Sequence, residues 1–327
     1  MKKKWMMLTA LSITVSMLAG GTGTVMAQEQ VRVGSLKGPT SMGLVHFMDE
    51  AEKETDDDEQ FTFEMLAAAD EVSGKFTSGD LEIALIPANM ASILYNKTEG
   101  KVQVIDINTL GVLYIVTADD SISGVADLAG KTIYTTGKGQ TPEYALNYLL
   151  EANGISLDDV TVEFKSEAAE VVSTLVQDES AIGILPQPFA TAACKQNENL
   201  KEVCDLTAEW DKTGKGTMVT GVTVAKKDYI EAHPEIIEEF LDEHEDSIEF
   251  TAEDTAAAAE LVAAAGIVEK APIAEAAIPK CNLKYLDGEE MKTALSGYLE
   301  VLMEQNPESV GGSVPGDDFY YVEADED

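Results

Sequence analysis

Two short loops carry the residue types that could recognise a small polar molecule. Lys37-Gly38-Pro39-Thr40 and Lys138-Gly139-Gln140-Thr141 each set a lysine beside a glycine and close on a hydroxyl residue, with an offset of 138 − 37 = 101. Gly38, Gly137 and Gly139 allow a ligand to approach the backbone closely. Thr40 or Ser41, and Thr141, suit the N-cap of a following helix, and Pro142 suits its first position. Free N–H groups at such a helix start, together with the helix dipole, favour an anion or a carbonyl oxygen. Lys37 and Lys138 would add charge. The second loop is not a nucleotide P-loop, because Lys138 is followed by Gly139 rather than Ser or Thr and the upstream glycine is missing.

The chain does not have the residues of a catalyst in any recognisable spacing. His46, His233 and His244 are scattered and form no metal-ligand pattern with Cys194, Cys204 and Cys281. No G-x-S-x-G nucleophile turn occurs. The expectation is therefore no catalytic residue, no metal and no cofactor. Three cysteines are an odd number for an exported chain. A Cys194–Cys204 bridge is open to the sequence, but buried free thiols are the first reading.

The loops imply elements that hold them. After the first, Leu44, Phe47, Met48 and Ala51 fall on one helical face, and adding 101 gives Ala145, Tyr148, Leu149 and Ala152, the same face. A second pair follows: Ile83-Ala84-Leu85-Ile86-Pro87 and Ile182-Gly183-Ile184-Leu185-Pro186, offset by 182 − 83 = 99. Continuous apolar runs of this length suit strands buried on both faces of a parallel sheet, and each stops at a proline, which has no N–H to donate. Strand–loop–helix units repeated in two halves predict two α/β lobes. Ligands of open α/β sheets sit beyond the carboxyl ends of strands, here loops 35–42, 87–90, 136–142 and 186–189. The runs Gly111–Thr117 and Val219–Ala225 read as strands leading into two crossovers. Lobe 1 is then 31–116 plus 226–327, and lobe 2 is 117–225. The helices after 226, including one carrying Leu295, Tyr298, Leu299 and Leu302, read as packing elements.

Composition sets the partners. Twenty-two Lys+Arg against sixty Asp+Glu give a formal charge of −38 over 327 residues, which repels nucleic acid and anionic lipid. Residues 1–27 read as a secretory signal peptide: Lys2-Lys3-Lys4, the apolar stretch Leu8 to Leu18, and a cleavage site at Val25-Met26-Ala27. Leu18-Ala19-Gly20 is followed by Gly21, so the lipid-attachment cysteine of a lipoprotein is missing. The expected location is outside the cytoplasmic membrane, periplasmic or at the cell surface.

The chain resembles the nitrate/sulfonate/taurine class of bacterial ABC-importer solute-binding proteins, including thiamine-precursor binders. Gly38-Pro39-Thr40-Ser41-Met42-Gly43, Ser78-Gly79-Asp80-Leu81-Glu82-Ile83-Ala84, Asp127-Leu128-Ala129-Gly130-Lys131-Thr132-Ile133 and His233-Pro234-Glu235 carry the resemblance. It implies a two-lobed periplasmic-binding-protein fold of the two-crossover type (type II), each lobe a mixed, mostly parallel sheet flanked by helices. It also implies capture of a small solute by hinge closure and delivery, as a monomer, to permease subunits. The implied ligand contacts are Thr40, Ser41, Met42, Asn89 and Met90 from lobe 1, and Gly139, Gln140, Thr141 and Gln187 from lobe 2. An exported sensor, or an enzyme of the same fold, is the alternative.

Overall fold

In the computed structural model, residues 30–53 and 60–322 are described; the signal peptide expected at 1–27 lies outside them. Eleven strands form two sheets. Those of the first are β1 (Val31–Leu36), β2 (Phe61–Leu66), β3 (Ile83–Pro87), β4 (Val102–Leu110), β10 (Val219–Lys226) and β11 (Leu283–Leu286). The second holds β5 (Leu113–Thr117), β6 (Thr132–Thr135), β7 (Thr161–Phe164), β8 (Ile182–Pro186) and β9 (Lys201–Asp205). The strand orders are β11-β4-β10-β3-β1-β2 and β7-β6-β8-β5-β9.

The internal repeat is visible in the pairing. β1 runs parallel to β2 and β3, and β6 runs parallel to β7 and β8. Val33 faces Ile83 in the first sheet and Ile133 faces Ile182 in the second, offsets of 133 − 33 = 100 and 182 − 83 = 99. The apolar residues of β3 and β8 are buried throughout, down to the closing proline, as central strands covered on both faces must be. Beyond β3 and β8 each sheet takes an antiparallel strand, β10 in the first and β5 in the second.

The boundaries expected at 116/117 and 225/226 each move by one strand. β5 pairs with β8 and β9 in the second sheet, and β10 pairs with β3 and β4 in the first. The chain therefore crosses at Gly111-Val112 and again between Asp205 and Val219. Both runs are β-branched and apolar, which predicts a strand but not its partner.

One large apolar cluster continues from the first sheet to the second through Trp210, Met218, Tyr298 and Leu299. Trp210 and Tyr298 are fully buried and meet with ring centroids 5.5 Å apart. The helix Gly288–Gln305 bears Tyr298 and packs on both β4 and the helix Thr141–Ala152. A smaller cluster around Val116, Val171, Leu175 and Leu185 fills the far side of the second sheet.

Candidate functional site

Strand register sets the ends of β3 and β8 beside one crossing of the chain. Pro87 at the end of β3 lies opposite Gly221, Val219 lies opposite Leu110, and Leu113 lies opposite Pro186 at the end of β8. The carboxyl ends of the parallel strands in both sheets thus abut the Leu110–Leu113 crossing. Loops 35–42, 87–90, 136–142 and 186–189 contain no Asp or Glu, although the chain has sixty, and they hold Lys37 and Lys138.

Lys37 is exposed and its backbone N–H is fixed on Leu66 O at 2.9 Å. Gly38 has φ 143 and ψ −152, a conformation open only to glycine. The short turn of helix Pro39–Met42 then winds three of the expected contacts inward. Thr40 is 4% exposed, and Ser41 and Met42 are completely covered. The Ser41 hydroxyl donates to Leu36 O at 2.8 Å and pairs with the Ser35 hydroxyl at 2.7 Å. Met42 packs with Val45, Ala258 and Val262, its sulfur 3.6 Å from Cys281 Sγ. Ser41 and Met42 are internal supports of this loop rather than accessible groups. The helix begins at Pro39 after Gly38, so neither Thr40 nor Ser41 is its N-cap. Asn89 and Met90 are half-buried at the start of helix Ala88–Lys97, with Asn89 Nδ2 donating weakly to Ser309 O at 3.4 Å.

In the second lobe, Gly137 and Gly139 adopt φ of 74 and 73. Lys138, Gly139 and Gln140 are exposed, with Lys138 Nζ 5.9 Å from the Phe164 ring centre. The N-cap of helix Thr141–Ala152 is Gln140, so Thr141 is the first helical residue and Pro142 the second, one place later than expected. Glu143 reaches back to accept the Gly139 N–H at 2.5 Å, and Tyr144 OH donates to Gly139 O at 2.9 Å. One amide of the expected anion site is therefore held by the chain's own carboxylate. Thr141 lies beside Tyr298 of the other lobe, whose phenol burial pushes up to about 12 while Thr141 acts in the opposite direction.

Gln187 departs furthest from expectation. It is 1% exposed, its backbone N–H donates to Val112 O at 2.9 Å, and its amide group bonds Glu202 and the Thr191 N–H. Its amide oxygen and one N–H are engaged, and the loop folds the side chain out of solvent beside helix Phe189–Gln196. The neighbouring Phe189 is 41% exposed instead. An aromatic in a loop beyond a parallel strand was the available signal for it. Glu202, Lys280, Tyr114 and Asn282 also meet near the crossing. They come from distant parts of the chain with no shared motif.

The cysteines are free. Burial, with Glu202 adding to it, pushes the Cys194 thiol up; burial, with Glu209 and Asp205 beside Cys204 and Glu202 near Cys281, pushes those two up to about 12. Among the described residues, His46, Asp49 and Glu50 lie close enough to share a cation, but Lys53 pairs with both carboxylates at 2.8 and 2.7 Å. This trio lies outside the four loops. His244 is buried against Asp106 at 3.0 Å, and Asp106 also accepts from the Thr223 hydroxyl at 2.7 Å.

This architecture is the two-lobed periplasmic-binding-protein fold, with the first sheet completed by two strands, β10 and β11, that follow the second crossing. Residues 99–258 match the family described as NMT1/THI5 like. An ABC transporter structure from Parabacteroides distasonis is similar at 20% identity and TM-score 0.76, covering 91% of this chain and 99% of that one. The periplasmic aliphatic sulphonate binding protein of Escherichia coli is similar at 16% identity and TM-score 0.72, covering 90% and 92%. The desulfurization enzyme DSZB shares the fold at 14% identity and TM-score 0.60, covering 90% and 97%. No curated protein matches the sequence. The family match, which spans the Asp127–Ile133 and His233–Glu235 segments, and the binding-protein neighbours agree with the resemblance.

Proposed function

We propose that this chain is the extracytoplasmic solute-binding component of an ABC importer, capturing a small anionic or polar organic solute between its lobes. What supports the reading is that four acid-free loops, two of them holding Lys37 and Lys138, follow the carboxyl ends of parallel strands in two sheets joined at one crossing, in a chain whose charge is −38. In a field this negative, loops that carry no carboxylate of their own are where an anion meets least repulsion, with Glu143 and Glu202 already engaged by Gly139 and Gln187. The accessible contacts would be Lys37, Gly38, Asn89 and Met90 from the first lobe, and Lys138, Gln140, Thr141 and Phe189 from the second. Gly137 and Gly139 would shape the loop backbone. Thr40, just beneath the surface at 4% exposure, would act as a floor.

The signal peptide 1–27 would take the chain across the membrane, and the loaded monomer would deliver its solute to permease subunits. Binding would close one lobe over the other by hinge motion at the crossings. Ligand at one hundred times its dissociation constant raises stability by about 2.7 kcal/mol, so a thermal-shift panel of sulfonates, carboxylates, nitrate and pyrimidines tests the reading. Mass spectrometry of small molecules released from protein purified out of its native host would name the solute.

The shared fold of the desulfurization enzyme supports a second reading, chemistry on a small metabolite. The four loops contain no His, Cys, Asp or Glu, leaving only hydroxyls and two lysines to act on a substrate. Turnover of any panel member, with no stabilisation by the others, would establish the enzyme and overturn transport.

A further inference from the structure

We propose that Glu202 and Lys280 are a positioning pair that holds the Pro186–Phe189 side of the cleft in place and ties it to the first lobe. Only the identity of what that side contacts rests on the solute-binding reading. Glu202 lies on β9, where the pairing with β5 slips between Ile115 and Val116. Such an irregularity re-aims side chains. Its side chain is 11% exposed, yet both oxygens are occupied. One accepts from Gln187 Nε2 at 3.0 Å and from the Thr191 hydroxyl at 3.1 Å; the other accepts from Lys280 Nζ at 2.5 Å. Gln187 in turn receives the Thr191 N–H at 3.2 Å. One carboxylate therefore fixes both ends of the turn that displays Phe189.

Lys280 belongs to the segment that enters the first sheet through β11. Its carbonyl accepts from Tyr114 OH at 2.9 Å. Two residues on, Asn282 Nδ2 donates to Gly111 O at 2.5 Å, and Asn282 O accepts from Leu110 N–H at 3.0 Å. Between them, Cys281 touches Met42 beneath the Gly38 loop. Residues 280–282 thus contact the Gly111 crossing, the second sheet and the support of the first lobe's loop. A carboxylate with this little solvent and three donors forms charge-assisted bonds stronger than neutral ones. Removing the lysine would leave its charge poorly compensated.

Hydrogen exchange measured by mass spectrometry on the full mature chain tests the pair without needing a ligand. Glu202→Ala and Glu202→Gln should exchange at least about tenfold faster in the peptide covering 186–197, with peptides from helix Thr141–Ala152 unchanged. Lys280→Met should also speed exchange there, and Lys280→Arg should restore protection, a rescue that side-chain packing alone would not produce. Unchanged exchange in both Glu202 variants, equal acceleration in every peptide, or equal behaviour of Lys280→Met and Lys280→Arg would overturn the proposal. A parallel thermal shift with ethanesulfonate separates the two readings. If ethanesulfonate fails to stabilise even the wild type, that counts against sulfonate capture, while the exchange data still decide whether Glu202 and Lys280 position the loop.

Discussion

Replacing Gly111 with alanine would place a methyl group where the chain passes between lobes. A Cβ there would lie 2.2 Å from Thr207 Oγ1 and 2.3 Å from Met218 Cε. Met218 can swing its terminal carbon aside, but Thr207 is 5% exposed on the helix Leu206–Asp211, whose N-cap Asp205 already holds the Thr207 N–H at 2.8 Å. Overpacking of this kind costs about 1–3 kcal/mol, or roughly 1.5–5 °C in Tm for a chain of this size. Among the described residues the buried Thr207 hydroxyl has no hydrogen-bond partner, so Thr207→Ala sacrifices no bond and should stay within about 1 kcal/mol of wild type. Thr207→Ala should then absorb most of the damage, giving a double mutant more stable than the sum of the singles by about 0.5–3 kcal/mol. Gly139→Ala is the contrast. Nothing lies within 4 Å of its added Cβ, but its φ is +73, so about 1 kcal/mol of backbone strain is expected whatever happens at Thr207. Thermal melts followed by circular dichroism give all four comparisons. An unchanged Tm for Gly111→Ala, or strict additivity with Thr207→Ala, would refute the claim that the crossing is sterically closed at this point.

Asp106→Ala would leave His244 and the Thr223 hydroxyl buried without their acceptor, and should cost about 3–5 kcal/mol by thermal melt; Asp106→Asn, which keeps an acceptor for Thr223, should cost less. All three thiols should react slowly with Ellman's reagent at pH 8 in the native protein, since burial holds them protonated. Guanidinium should release three thiols, where a Cys194–Cys204 disulfide would release one. Asp318 is held below the ordinary carboxylate range by the Lys227 hydrogen bond and then by Tyr95. Its contribution is fully present above the unfolded value of about 3.9 and lost as pH falls through the lower folded value. Melts of Asp318→Asn from pH 6 to pH 2.5 should therefore fall less steeply than wild type.

Much of the architecture is readable in the residues because the two halves repeat. The Ile83–Pro87 and Ile182–Pro186 runs announce central parallel strands, and their equal spacing from the glycine loops announces two lobes of one design. Assignment of β5 and β10 was beyond reach, since an apolar β-branched run looks the same on either sheet. The site was readable at the level of loops and less so at the level of side chains. Ser41, Met42 and Gln187 lie in those loops, but a single turn of helix or a fold-back puts them inside. Such orientation depends on one or two dihedral angles that composition does not encode. Glu202 and Lys280 meet only because the short turn Ile278–Lys280, the strand β9 and the crossing converge in space.

The two sheets differ in how much chain each needs before it is complete. Every strand of the second comes from the uninterrupted stretch Leu113–Asp205, whereas the first must wait for Val219–Lys226 to cover β3 and for Leu283–Leu286 to pair with β4. As the chain emerges during synthesis, the later-starting half can therefore finish before the earlier one. A product truncated before residue 219 would display the bare apolar edge of β3, an invitation to mispairing that a chaperone or protease would have to meet.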